Sequence, residues 1–406
     1  MQQWKSCSPR NRCSPPGVEP VRIALVRQRY NPYGGAERFI ERALPALERA
    51  GAEVSLIARS WQSGAPGWEA RKVVLANPPY VGNAWRDASF ARAARAAWEA
   101  GGFDLVQSHE RIAGCDVYRA GDGVHAHWLE IRRAAAGPLE RIGIALNPYH
   151  RYVCAAERRL FEDPRLRAVI CNSAMVREEI RQRFGLAPEK LHVIYNGVDL
   201  EHFHPRHRAA LRATARSALG AGEQEVLFLF VGSGFWRKGL DAAIGALAAC
   251  GDPAFRLVVA GRDRDAARYA ALAAAAGVAG RVRLLGGRED VRPLYAAADC
   301  FILPTRYDPF PNTALEALAM GLPAIVGRRS GAAEILPPGE GGWICEPGDV
   351  PGLARRMREA ALVARGEGAG TAARRTAEHY GIDDMARKLA GLYAALAASA
   401  PEGRPK

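Results

Sequence analysis

Two carboxylates with seven residues between them, Asp308 and Glu316, lie in the run CFILPTRYDPFPNTALEALAMGLPAIV, residues 300–326. The run reads as a buried strand over 300–303, a polar loop over 304–311 and a helix over 312–320 stopped by Gly321. Asp308 then lies in the loop and Glu316 one turn into the helix, so both reach a ligand at the strand's carboxyl end. Between them, the N–H groups of Asn312, Thr313 and Ala314 open the helix. Unpaired donors and the helix dipole make such a start an anion site. Carboxylates suit sugar hydroxyls and the amides suit phosphate, which together is the chemistry of a nucleotide-sugar site.

A second group stands in GSGFWRKG, residues 232–239, between a buried strand and a helix. Arg237 and Lys238 are expected at the cleft floor, facing the helix start at Asn312. Two cations there suit a diphosphate whose charge grows as a glycosidic bond breaks; the competing reading is a solvated basic turn. The spacing of a P-loop is absent. Gly34 and Gly35 follow the first strand and open a helix over 36–49, a turn through which backbone approaches a phosphate, although the GxGxxG dinucleotide pattern is missing. Asp122, His125 and His127 follow a strand in GDGVHAHW. A carboxylate and an imidazole there are candidates for contact with a reacting sugar, with a structural loop as the alternative. No third ligand accompanies the two histidines, so no metal is expected. His109 and Glu110 form a weaker pair of the same kind. Asp263-Arg-Asp265 matches the D-x-D pattern of metal-dependent transferases, but its place at a helix start reads as capping.

These groups need elements to hold them. The chain has 406 residues, a formal charge of +13 and 49% hydrophobic residues, enough for two domains with ordinary cores. Strand and helix alternate twice. The first half has strands at 21–26, 53–58, 72–75, 104–107, 117–120, 167–171 and 191–195, with a long loop near 61–85 and one long helix over 138–161. After a charged linker with a short helix, the second has strands at 225–231, 256–260, 282–285, 300–303 and 324–326. The last helices are placed at 351–365 and 383–398. This predicts an α/β protein of two doubly wound, Rossmann-like parallel sheets facing across a cleft. The expected divisions are a disordered leader over 1–20, a first domain over 21–196, a second over 197–380, and a terminal helix and tail over 381–406, with the helix crossing back to the first domain.

Eight scattered cysteines without a CxxC pair fit a reduced, cytoplasmic protein without structural metal. No apolar run is long enough to span a bilayer, and residues 1–20 lack the apolar stretch of a secretory signal. The positive balance reads either as compositional bias or as attraction to anions. No nucleic-acid reader motif is present, so phosphate and anionic lipid are the remaining partners. The Arg-rich segment 132–167 is expected to lay the first domain on an anionic inner-membrane surface.

The block DPFPNTALEALAMGLPAIV resembles the E-x7-E signature of the family 4 retaining glycosyltransferases of GT-B fold. YNGVD at 195–199, CNSAMV at 171–176, the WRKG turn and AAADCFILPT at 296–305 match that family in order. RQRYNPYGGAERF, GCDVYRAGD, VGSGFWRKGLD and GGREDVRPLYAAAD are similar to the lipopolysaccharide inner-core glucosyltransferases of the WaaG type. The resemblance implies a metal-independent transfer of glucose from UDP-glucose onto a core heptose or related lipid-linked glycan, with no bound cofactor. Glu316 would hold the ribose, Asp308 the donor sugar, Arg237 and Lys238 the diphosphate, and Arg288 with its neighbours the base. Gly34 and Gly35 would approach the diphosphate from the first lobe. Asp122 matches the position facing the reacting carbon, with His125 as the alternate. Three departures stand out: Asp308 is shorter than the commoner Glu, Pro311 replaces a Gly, and Ser233 replaces the first Arg of a phosphate pair. A capsule or exopolysaccharide transferase with another donor, a sugar-nucleotide epimerase and a non-catalytic binding protein are the alternatives.

Overall fold

The computed structural model describes residues 21–29, 44, 48, 51–60, 72–336, 339, 341–364 and 366–399. The leader, the Gly34–Gly35 turn, the expected helix apart from residues 44 and 48, and the tail beyond 399 lie outside these residues. Among the described residues there are two parallel sheets. The first contains β1 (Arg22–Val26), β2 (Glu53–Ala58), β3 (Val73–Leu75), β4 (Leu105–Ser108), β5 (Val117–Ala120), β6 (Ala168–Cys171) and β7 (Leu191–Val193). Its order is β3-β2-β1-β4-β5-β6-β7. The second contains β8 (Val226–Val231), β9 (Phe255–Ala260), β10 (Val282–Leu284), β11 (Cys300–Leu303), β12 (Ala324–Gly327) and β13 (Gly342–Cys345), in the order β10-β9-β8-β11-β12-β13.

The central strands β8, β11 and β12 are buried throughout. A strand covered by helices on both faces needs an unbroken apolar run, and VLFLFV, CFIL and AIVG are such runs. In each sheet the strand order reverses beside the first strand, at β1/β4 and at β8/β11. The connections diverge there and leave a crevice at the strands' carboxyl ends. The two crevices face one another.

Five elements depart from the sequence expectation. The helix expected over 138–161 is two helices, Pro138–Leu146 and Pro148–Phe161. Pro148 cannot continue a helix, and the Asn147 side chain instead caps the second one by accepting from the Tyr149 N–H at 2.9 Å. The stretch after Asp122 is helical from His125 to Ala135. The linker's short helix spans Pro205–Ala218. Its Arg208, Arg212 and Arg216 do not face solvent; they donate to the carbonyls of Ala296, Ala297 and Ala298, which end the helix Arg292–Ala297. Cations at a helix's carboxyl end satisfy its last carbonyls and oppose its dipole. Finally, β13 and the helix Glu367–Glu378 were not anticipated.

The last described helix, Ile382–Ala398, belongs to the first sheet's core. Met385, Leu389 and Tyr393, spaced one turn apart, are buried with Ile23, Leu25, Leu105 and Val117. Its start is pinned to the interdomain chain: Val198 donates to the Tyr380 carbonyl at 2.9 Å and Ile382 donates to the Val198 carbonyl at 3.1 Å. Leu389 is fully buried. Leu389→Ala is expected to destabilise the protein by about 2–5 kcal/mol, read as a lower urea midpoint, although the residue lies 196 positions beyond the last strand of that sheet, which ends at Val193.

Candidate functional site

Between the two sheets lies a cleft of about 1150 Å³. Asp122, His125, Arg237, Lys238, Arg288, Asp308, Asn312, Thr313 and Glu316 all line it. Ala314 does not; it is buried, and its N–H is directed at the Pro311 carbonyl at 3.1 Å. The anion site expected at three amides therefore narrows to the first turn at Asn312 and Thr313. Pro311, standing at the cap, supplies no capping side chain to that turn. Gly34 and Gly35 lie outside the described residues.

The basic turn is locked to the Asp308 loop. Gly239 has φ +78°, and a Cβ there would meet the Pro304 carbonyl oxygen at 2.1 Å. Only glycine permits this approach. The Arg237 carbonyl accepts from Arg306 N at 2.9 Å and from Thr305 Oγ1 at 2.8 Å. The Arg306 guanidinium reaches back to the Trp236 carbonyl and to Asp241. Asp263 holds the other end: its carboxylate accepts from Phe235 N at 2.6 Å and from Asp265 N at 2.9 Å. The expectation that this pair caps the helix Ala266–Ala275 is corrected accordingly, since Asp265 makes no side-chain cap. No cluster of three metal-ligating side chains occurs among the described residues.

In this frame Lys238 Nζ is ion-paired with Asp308 Oδ2, and Arg237 Nη1 lies 3.4 Å from the same oxygen. Burial lowers the Lys238 ammonium, while the Asp308 carboxylate acts to hold it up. Glu316 is buried and lies 3.2 Å from the Tyr295 hydroxyl, which donates to the Thr313 carbonyl at 3.0 Å.

On the first-domain side, Asp122 sits in the turn between β5 and the helix His125–Ala135. Glu157 fixes that turn from beneath. It accepts from the amides of His125 (2.6 Å) and Ala126 (3.3 Å), and from Arg111 Nε at 2.8 Å. Arg111 also donates to the Gly123 carbonyl at 3.1 Å. His125 is engaged elsewhere: its Nε2 is 3.1 Å from His150 Nδ1. Burial, then the Arg111 charge and His150, push it down to about 3. It is a neutral imidazole at neutral pH. Of the weaker pair, His109 is buried against Gln107 and does not line the cleft, whereas Glu110 does, held by Arg27 and the Gln28 amide.

The residues that sequence reading missed are those crossing between domains. Arg119 donates to Asn196 Oδ1 at 2.5 Å, and Asn196 donates to Asn312 Oδ1 at 2.7 Å. Glu334 accepts from the amides of Ala174 (2.8 Å) and Met175 (2.7 Å), capping the helix Ala174–Phe184 from the opposite domain. Tyr307 donates to Glu179 Oε2 at 2.7 Å.

Comparison with known proteins points one way. The family model "Glycosyltransferase Family 4" matches residues 33–202, and "Glycosyl transferases group 1" matches residues 212–362. A probable transglycosylase of Burkholderia thailandensis is 30% identical over 80% of this chain and 83% of its own length. The lipopolysaccharide glucosyltransferase WaaG of Escherichia coli is 27% identical over 83% of this chain and 89% of its own. Among solved structures, WaaG, described as a glycosyltransferase involved in lipopolysaccharide biosynthesis, superimposes with a TM-score of 0.78 at 26% identity, over 91% of this chain and 99% of that one. HepE of Anabaena, solved with UDP-glucose, gives 0.68 at 22% identity over 92% and 99%, a likeness of fold.

Glu179 carries a pH signature. Burial raises its carboxyl to about 7, with the Glu157 and Glu130 charges adding to the rise and the Tyr307 hydrogen bond opposing it. His127 Nε2 stands 3.6 Å away. A raised acid contributes stability that is full below its ordinary value of 4.5 and is lost as pH climbs through about 7. Glu179→Gln removes that loss. The melting temperature of the variant relative to wild type is expected to rise between pH 4.5 and 7 and to be flat above, as read by calorimetry.

Proposed function

The chain belongs to the glycosyltransferases of group 1 and family 4, and from that membership we propose that it transfers glucose from UDP-glucose to a hydroxyl of a lipopolysaccharide core heptose or a related lipid-linked glycan, with retention and without a metal. The architecture is GT-B. The observation that carries the reading is the meeting, in one cleft, of two carboxylates, two cations and a helix start. The glucosyl donor is supported by the relative named a lipopolysaccharide glucosyltransferase.

In this reading the nucleotide lies on the second domain, with Glu316 on the ribose and Arg288 beside the base. Arg237, Lys238 and the first turn at Asn312–Thr313 take the diphosphate, and Asp308 takes the sugar hydroxyls. The bond between the anomeric carbon and the β-phosphate oxygen breaks, and the electron pair leaves with the diphosphate. The acceptor oxygen attacks from the same face, and its proton passes to the departing phosphate. The cations stabilise the charge that develops. Asp122 faces the reacting carbon, and the neutral state of His125 supports that choice over the imidazole.

The Asp308–Lys238 pair makes this testable. An incoming diphosphate replaces Asp308 as the counter-ion of Lys238 and frees the carboxylate for the sugar. Asp308→Asn is therefore expected to bind UDP as tightly as wild type or more tightly, while losing the extra affinity for UDP-glucose over UDP. Glu316→Ala is expected to weaken both ligands by ~10- to 100-fold, since a charged hydrogen bond is lost. Titration calorimetry separates the two, and loss of UDP binding in Asp308→Asn would sink the exchange.

The acceptor's lipid anchor implies a bilayer nearby, and the helix Pro138–Leu146 is suited to one. Leu139, Ile142 and Leu146 occupy one face at 86%, 56% and 69% exposure, while Ile144 alone is buried beneath. Exposed Arg133 and Arg141 flank it, joined by a hydrogen bond from Arg141 Nε to the Arg133 carbonyl at 2.9 Å, and Arg151, Arg158 and Arg159 are exposed along the following helix. No helix among the described residues is long and apolar enough to cross a membrane. An apolar stripe rimmed by arginine fits the interface of an anionic bilayer. Leu139→Glu with Ile142→Glu is expected to abolish co-sedimentation with vesicles containing anionic lipid and to leave UDP binding unchanged. Co-sedimentation indifferent to these changes and to salt would exclude that surface.

A further inference from the structure

Tyr307 is the residue immediately before Asp308, yet its side chain leaves its own domain. It is fully buried, and its hydroxyl ends in the first domain. There it donates to Glu179 Oε2 at 2.7 Å and accepts from the Val124 N–H at 3.3 Å. Val124 is two residues from Asp122. Gly123, between them, has φ +69°, and a Cβ at that position would lie 2.0 Å from the Tyr307 oxygen. The turn thus carries a glycine where a phenol from the opposite domain enters. Trp128 stacks on the ring at 6.1 Å between centroids, and His127 meets its edge at 5.6 Å. Behind it, the Arg237 guanidinium donates to the Tyr307 carbonyl at 3.1 Å.

One side chain therefore has a chain neighbour in each half of the reaction centre: Asp308 beside the donor cations, and the Asp122 turn on the acceptor side. We propose that Tyr307 is a positioning residue that sets the Asp122 turn in register with the Asp308 loop, with Glu179 as the acceptor that fixes its hydroxyl. The proposal rests on the glycosyltransferase reading for its consequence, since register matters to transfer and not to donor binding. A tyrosine held only for packing would not need the hydroxyl; phenylalanine offers the same ring. The two polar contacts made by the oxygen single out the hydroxyl.

The test uses the full-length protein with Tyr307→Phe, Glu179→Met and Glu179→Gln. Tyr307→Phe is expected to bind UDP within about twofold of wild type and to lose ~10- to 100-fold in kcat, as misplacement of reacting groups does. Glu179→Met, which has no oxygen acceptor, is expected to lose a similar factor, and the double variant no more than either single one. Glu179→Gln keeps an acceptor and is expected to lose less than Glu179→Met. Gly123→Ala is expected to be more active combined with Tyr307→Phe than alone, because the oxygen it would strike is gone. An unchanged kcat in Tyr307→Phe overturns the proposal, as does a loss of UDP affinity equal to the loss of kcat. Solution scattering of the unliganded protein gives a readout independent of activity: Tyr307→Phe is expected to enlarge the radius of gyration as the domains part. A wild type that transfers no sugar to any acceptor defeats the functional reading, and scattering then still decides whether the hydroxyl holds the domains in register; an unchanged radius says that it does not.

Discussion

Lys238 is ion-paired with Asp308 where its side chain is only 10% exposed. A cation desolvated to that degree is tolerated beside a fixed anion and nowhere else. Asp308 is that anion, and much of the cleft follows from holding the two together. The lysine sits on a short turn whose far end is tied by Asp263 and whose near end is pressed onto Pro304. The aspartate sits on a loop that Arg306 and Thr305 stitch to the same turn. Two loops from different strands thus behave as one piece. A ligand with negative charge meets cations already desolvated and oriented, which costs little reorganisation when it binds.

The two domains touch through polar groups and through crossing aromatic pairs, Trp128 against Trp236 and Tyr307 among them. Glu334 caps a helix of the other domain, Asn196 meets Asn312, and Tyr307 meets Glu179. The large apolar clusters stay on their own sides. An interface of this kind holds a relation without making it permanent, because each polar contact can exchange for water at modest cost. The helix Ile382–Ala398 differs, since its apolar face is committed to the first sheet.

What could be read from the sequence divides along the same line. Buried parallel strands announce themselves as apolar runs, so β8, β9, β11 and β12 were legible almost to the residue. The cluster around Asp308, Glu316, Arg237 and Lys238 was legible because each follows such a strand, and strands of a doubly wound sheet all end at the same edge. The arginines at 208, 212 and 216 stand in the stretch read as a charged linker with a short helix, and nothing local reports that they meet carbonyls at another helix's end. The helix Glu367–Glu378 was hidden by its glycines and is held by packing of Ala372, Ala373 and Ala377. Glu179 lies among REEIRQR, where a second glutamate gives no local sign that it is half enclosed by another domain. Tyr307 and Glu179 are 128 residues apart, and no periodicity reports a contact at that distance.

The terminal helix has a consequence for how the molecule comes into being. A nascent chain usually completes its first lobe before its second, but here residues Met385, Leu389 and Tyr393 are missing from the first lobe until the second has been made. At ~5–20 residues per second, the ribosome needs roughly 10–40 s to travel from β7 to that helix. The second lobe has its strands, its helices and its own buried cluster in that interval. The half that emerges first is therefore the half that finishes last, with an apolar face uncovered while its neighbour consolidates. That face, waiting for its final helix, is where a chaperone would have most to hold.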